Sequence, residues 1–236
     1  MTRTLAEVMA PVRHVLLDFD GPVCSVFGEL PAAVVARRLA EAIDARLPDE
    51  AIGTDPLALL TVFAERGRDT LVAAEAKLTE LEIEAVRTAP ITPGAVEALE
   101  AFRTTGRTVT IVSNNSQAAV EAFLVDRGLQ HLVTGVCSRQ HPEPELLKPN
   151  PFLLRRAIVE RGASVHECVM IGDSLGDIQA AGAQLVPAIF LANRPSKLRS
   201  FLGGEIDTRS HINSMFEVVQ LPLENRARPA QEPDFR

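Results

Sequence analysis

Apolar residues along this chain fall into two habits: short aliphatic runs that stop at polar residues, and longer stretches with apolar positions three and four apart. His14 to Leu17 belongs to the first habit, since Val15-Leu16-Leu17 is continuous, as in a strand buried on both faces, and Gly21-Pro22 breaks it. The pattern then turns helical. Pro31 to Leu47 sets Val34, Val35, Leu39, Ile43 and Leu47 near one face, with Arg37, Arg38, Glu41 and Asp44 mostly elsewhere. A second helix starts with Asp55 as N-cap and Pro56 in its first turn and stops at Gly67. Asp69 to Thr88 is a third. Residues 24–88 are thus predicted to be an all-helical insert.

Beyond the insert the two habits alternate. Thr92-Pro93-Gly94 opens a helix to Thr105, and Val109 to Val112 reads as a strand ending in Ser113-Asn114-Asn115. Ser116 or Asn115 caps the next helix, which runs to Arg127-Gly128, and Leu132 to Val136 is a weaker strand. Lys148-Pro149-Asn150-Pro151 precedes a helix to Arg161-Gly162. Val169 to Ile171 is a strand ending in Gly172-Asp173-Ser174-Leu175-Gly176-Asp177. A helix carrying Ala180 and Ala181 stops at Gly182, and Ala188 to Leu191 is a further strand. Such alternation predicts an α/β fold: a Rossmann-like parallel sheet with helices on both faces, plus a small all-helical domain. The expected division is a core of residues 1–23 and 89–221, a helical domain of 24–88, and a disordered polar tail of 222–236. Ligands bind such sheets beyond the carboxyl ends of the strands. Asp18/Asp20, Ser113-Asn114 and Asp173/Asp177 all fall there, and Lys148, at a helix start, can point the same way.

Composition narrows the classes. With 46% hydrophobic residues but no Trp or Tyr, the chain builds its core from Leu, Val, Ile and Ala. Net charge is -7 and no basic run or aromatic platform occurs, which argues against nucleic acid as a partner. Cys24, Cys137 and Cys168 are widely spaced, form no CxxC and are not followed by the Arg of a cysteine-phosphatase loop, as expected for a reduced, cytoplasmic chain. Neither a signal segment nor a membrane span is expected. The expected partner is a small molecule, and the expected state a monomer or weak homodimer.

Two carboxylates one residue apart at a strand end cost stability unless something uses them. Asp18 and Asp20 could cap backbone donors in a turn. They also fit the acidic positions of a calcium loop with Glu29, but Pro22 and Val23 stand where that loop needs an oxygen ligand and a glycine, and a strand rather than a helix precedes it. A third reading makes Asp18 a nucleophile and Asp20 its proton-transfer partner. Ser113 alone reads as a cap, Lys148 alone as a surface lysine, Asp173 alone as a turn residue. Together they gather four carboxylates at one sheet edge. A pair about 5 Å apart repels by roughly 3 kcal/mol, and six pairs approach about 20 kcal/mol, so the site needs a divalent cation, Lys148 or protonation. All-oxygen ligands beside a phosphate favour Mg²⁺ over zinc.

These four motifs (Asp18-Phe19-Asp20-Gly21, Ser113 after its strand, Lys148, and Gly172 to Asp177) resemble those of haloacid-dehalogenase-superfamily hydrolases, and the insert resembles that family's cap. The resemblance implies a Mg²⁺-dependent phosphatase for a small phosphomonoester of a sugar, polyol or organic acid. Asp18 would attack phosphorus, and Asp20 would protonate the leaving alcohol and then take a proton from water. Ser113 and the Asn114 amide would bind phosphoryl oxygens, and Lys148 would balance charge. Asp18, the Asp20 carbonyl, Asp173 and Asp177 would hold Mg²⁺, Asp177 directly or through water. Asp20 favours phosphate esters over halides, because chloride leaves without a proton. A sugar phosphomutase is the alternative enzyme, although Gly172 stands where such mutases often carry an extra acid. A non-catalytic binding module is the other alternative. Pro22 departs from the Thr or Val common in relatives and fixes φ between core and cap.

Overall fold

The computed structural model describes residues 4–44, 47–193 and 211–221, so the tail expected to be disordered lies outside the described residues. Its centre is a sheet of β1 (His14–Leu17), β2 (Thr108–Ser116), β3 (Gly135–Arg139), β4 (Cys168–Gly172), β5 (Ala188–Leu191) and β6 (His211–Ile212). The strands lie in the order β3-β2-β1-β4-β5-β6 and every pair is parallel. β1, at the centre, pairs through His14–Leu17 with Thr108–Ile111 on one side and Cys168–Ile171 on the other. Parallel pairing requires a crossover between strands, which is why helical stretches separate the apolar runs.

Period-2 alternation divides the strands between two helical layers. Val15 and Leu17 of β1, Val109 and Ile111 of β2, and Val169 and Ile171 of β4 pack against α1 (Leu5–Met9), α6 (Ala95–Thr104) and α7 (Gln117–Asp126). Leu16, Val112 and Met170 face α8 (Phe152–Glu160) and α9 (Leu175–Ala183) on the other side. The short α10 (Phe216–Val219) closes the first layer through Val218. In place of absent Trp and Tyr, Phe19 packs edge-on against Phe123 with ring centroids 5.3 Å apart.

The helical stretch comprises α2 (Ala32–Asp44), α3 (Asp49–Ile52), α4 (Ala58–Ala64) and α5 (Arg68–Thr88). It has a core of its own, with Val35, Leu39, Leu59, Leu60, Phe63 and Leu78 among its buried members. α5 belongs to both cores: Leu71, Ala74, Leu78 and Leu81 pack in the helical cluster, whereas Ala85 and Val86 pack in the sheet's. Phe27 and Leu30 touch both.

Several expectations need correction. The weaker strand is shifted: Gln130–Leu132 form a 3₁₀ turn, and β3 starts at Gly135, where the ladder opposite Thr110 begins. Val34 is exposed, because the buried stripe of α2 is Val35, Ala36, Leu39 and Ala40. Asp55 does not cap α4; its Oδ1 accepts from the Leu57 N–H in the turn before it. Gly67 does not end α4 but stands just ahead of α5 with φ +110°.

Candidate active site

Asp18 is still tied to the sheet where β1 ends, its N–H donating to the Ile171 carbonyl at 2.9 Å, so its carboxylate stands at the carboxyl edge and is almost buried. The chain then turns sharply. Gly21 N–H donates to the Cys24 carbonyl at 2.7 Å, and Thr92 Oγ1 donates to the Gly21 carbonyl at 2.5 Å. Gly21 has φ +114°, and a Cβ there would overlap the Asp173 carboxylate, so glycine is required by both backbone and space. Asp20, half-buried, is oriented by the Val26 N–H, which donates to its Oδ1 at 2.9 Å.

Lys148 arrives from the other side of the sheet. The Asn114 side chain grips its backbone on both sides, Nδ2 donating to the Lys148 carbonyl at 3.0 Å and Oδ1 accepting from the Lys148 N–H at 2.8 Å. All three ammonium protons have acceptors: Asp18 Oδ1 at 2.7 Å, Asp177 Oδ1 at 2.5 Å and the Val112 carbonyl at 2.7 Å. Asp177 is fully buried, and its Oδ2 accepts from the N–H and hydroxyl of Ser174 in a capping box that starts α9. Burial works against the Lys148 charge, but Asp177 and Asp18 outweigh it and hold the ammonium protonated. Burial, then Asp177, push Asp18 up to about 7 against the pull of Lys148.

Ser113 ends the regular part of β2. The register against β3 slips between Ser113 and Ser116, so Asn114 and Asn115 form a bulge. Ser113 Oγ accepts from the Asn115 N–H at 3.1 Å and donates to Asn115 Oδ1 at 3.2 Å. Ser116, rather than Asn115, caps α7 by accepting from the Ala119 N–H.

Three charged residues at this bulge escaped the sequence reading. Glu82 of α5 is fully buried and accepts from Asn115 Nδ2 at 3.0 Å, from the Ser116 N–H at 2.9 Å and from Arg139 Nη2 at 2.5 Å. Arg139, at the end of β3, also pairs with Glu75 and donates from Nε to the Asn114 carbonyl at 2.9 Å. A signal exists in retrospect. Leu71, Glu75, Leu78, Glu82 and Ala85 are spaced four, three, four, three, so both carboxylates occupy positions where the helix presents its apolar stripe.

The residues fit a divalent cation. Oxygens of Asp18, Asp173 and Asp177 lie within 4.8 Å of one another, all three residues are buried, and every donor is a hard carboxylate oxygen. The Asp20 side chain lies outside that cluster. Three carboxylate pairs therefore repel, not the six expected from sequence, and Lys148 meets two of the three acids directly.

A family described as haloacid dehalogenase-like hydrolase matches residues 12–183. Phosphoglycolate phosphatase of Aliivibrio fischeri is 33% identical over 91 residues, 39% of this chain and 39% of that protein. Phosphoglycolate phosphatase of Mesorhizobium japonicum is 29% identical over 97 residues, 41% of this chain and 42% of that protein. The matched stretch thus spans about two fifths of the curated relatives' length. Among solved structures, CbbY from Rhodobacter sphaeroides in complex with phosphate superposes with TM-score 0.66 at 16% identity, covering 88% of this chain and 96% of that one. A HAD phosphatase from Thermococcus onnurineus gives TM-score 0.66 at 19% identity, covering 91% and 100%. These structures agree on the fold.

Proposed function

The chain belongs to the haloacid dehalogenase-like hydrolases, and within that family we propose that it is a Mg²⁺-dependent phosphatase acting on a small phosphomonoester through an aspartyl-phosphate on Asp18. The observation that carries the reading is the buried Lys148 ammonium held between Asp18 and Asp177 at the carboxyl edge of the sheet. Such an arrangement neutralises an acid that must stay ionised to attack and leaves positive charge beside the phosphoryl group it attacks.

In the first step an Asp18 oxygen forms a bond to phosphorus while the ester P–O bond breaks, and Asp20 gives its proton to the departing alcohol oxygen. In the second, Asp20 takes a proton from a water that attacks phosphorus, which frees the Asp18 carboxylate and releases inorganic phosphate. The Ser113 hydroxyl, once its proton turns from Asn115 Oδ1, and the Asn114 N–H bind phosphoryl oxygens, Lys148 holds Asp18 aligned, and the Val26 N–H holds Asp20 in place. Asp18, Asp173 and the Asp20 carbonyl would hold Mg²⁺, with Asp177 engaged directly or through water, and the ion supplies charge neutralisation for the transferring phosphoryl group. Because both Asp177 oxygens already accept from protein donors, the water-mediated form suits it better.

The described residues between 24 and 88 act as the cap, and those on either side act as the core. Three buried free thiols suit a reducing compartment, which supports a cytoplasmic setting. Among the described residues no helix is long and apolar enough to cross a membrane. The test is phosphate release from a panel of phosphomonoesters with Mg²⁺, in which 2-phosphoglycolate leads because of the curated relatives and sugar and polyol phosphates follow. Release from at least one donor, abolished in Asp18→Asn, is the expected result; no release from any donor would overturn the reading.

A further inference from the structure

We propose that Glu82 and Arg139 are positioning residues for the phosphoryl-binding bulge, carrying its geometry from the long helix of the insert and from the neighbouring strand. This rests on the phosphatase reading, because it concerns how Ser113 and the Asn114 N–H are aimed. At a bulge the ladder is interrupted, so the backbone groups there need partners from elsewhere. Glu82 and Arg139 provide them for two backbone groups, the Asn114 carbonyl accepting from Arg139 Nε and the Ser116 N–H donating to Glu82, and Glu82 also accepts from the Asn115 side chain between them. Asn115 in turn exchanges hydrogen bonds with Ser113 through its N–H and its Oδ1, so the grip reaches the hydroxyl assigned to the phosphoryl group.

Joining α5 to the core does not by itself call for buried charge. Leu81, Ala85 and Val86 of α5 are already buried, and apolar residues commonly hold elements together as well as a buried ion pair does. What apolar residues do not supply is three directional bonds on one bulge. The Arg139 guanidinium, almost wholly buried, has its plane fixed by Nε on the Asn114 carbonyl and Nη2 on Glu82, with Glu75 as a second charge partner. Placement matters at such a site, since a shift of about 1 Å in a binding group costs about 10²-fold in rate.

The test titrates inorganic phosphate into the full-length protein with Mg²⁺ by calorimetry, alongside steady-state turnover of a responsive phosphomonoester. Three variants are compared with wild type: Glu82→Gln, Arg139→Lys, which keeps the charge but loses the fork, and Asn115→Ala, which cuts the link without stranding a buried charge. Expected are a phosphate Kd weaker by about 10-fold or more and a kcat/KM lower by about 10²-fold, with binding stoichiometry kept at one site per folded molecule. A purely structural role would instead lower the thermal midpoint and the stoichiometry while Kd and kcat/KM per folded molecule stayed within about twofold of wild type. That result, in Asn115→Ala or in whichever charge variants fold, overturns the inference. Failure of the wild type itself to release phosphate from any donor would overturn the phosphatase reading, and this inference with it.

Discussion

Replacing Lys148 with Met keeps most of the side-chain volume and removes a cation that bonds both Asp18 and Asp177. Deleting one partner of a buried ion pair typically costs about 3–5 kcal/mol, and with two carboxylates left behind the upper end applies at about pH 8. The cost also depends on pH, with a sign that follows from Asp18. With Lys148 in place its folded pKa is already raised to about 7, well above the ordinary range of an aspartate. A carboxyl raised on folding contributes stability that is fully present below its unfolded pKa and lost as pH rises through its folded pKa. Without Lys148 the folded pKa climbs further, so the variant goes on losing stability where wild type has stopped. Each pH unit in that window is worth about 1.4 kcal/mol for one proton, so the deficit of Lys148→Met should shrink by about that much between about pH 8 and about pH 5. Urea unfolding of the metal-free protein gives the answer. Circular dichroism is the probe, because the chain has no Trp or Tyr for fluorescence. A deficit under about 1 kcal/mol, or one that grows on acidification, would refute the argument that Lys148 neutralises a buried acid pair.

Turnover should vanish in chelator, return with Mg²⁺ and fall with excess Ca²⁺, whose larger coordination shell can draw Asp18 into bidentate ligation; full turnover in chelator would remove the metal from the account. Gly21→Ala should cost about 1–3 kcal/mol from its backbone conformation alone and weaken Mg²⁺ binding as well, because its Cβ displaces Asp173; calorimetric Mg²⁺ titration and thermal unfolding check both. Asp18, Asp20, Ser113, Lys148 and Asp173 all lie outside the cap, so Arg37→Ala on the exposed face of α2 should change the ratio of kcat/KM values among substrates without altering Mg²⁺ dependence, and uniform loss on all of them would contradict a part for the cap in substrate choice.

The sheet was legible because each apolar run ends in a polar cluster at the same edge. Parallel order then follows from helical stretches between runs, and Asp18, Lys148, Asp173 and Asp177 meet as that edge predicts. What sequence could not show was orientation at short range. Asp20 turns to the Val26 N–H instead of joining its neighbours, which depends on a turn set by Gly21 and by Thr92 from seventy-one positions away. β3 was misplaced because Leu132 and Val133 are as apolar as a strand, whereas the ladder is set by pairing with β2. The Glu75–Arg139–Glu82 group was hidden for a different reason, because the stripe spacing of the two glutamates hints at burial without naming their partner. Charged residues on a helix read as solvated until the partner that buries them is known, and Arg139 lies on another element 57 positions along the chain from Glu82.

The claim at the centre is that Asp18 carries the phosphoryl group and Asp20 moves the proton. Asp20→Asn should lose about 10² to 10⁴ in turnover of alkyl or sugar phosphates, whose alkoxide leaves poorly without a proton. Acetyl phosphate needs no such help, so it should still phosphorylate Asp18, and slow water attack should let the adduct build up. The direct measurement is mass spectrometry of acid-quenched Asp20→Asn after incubation with Mg²⁺ and acetyl phosphate. The account predicts a phosphoryl group on the peptide containing Asp18, absent when Asp18→Asn is added; turnover without any adduct, or an adduct on another residue, would contradict it.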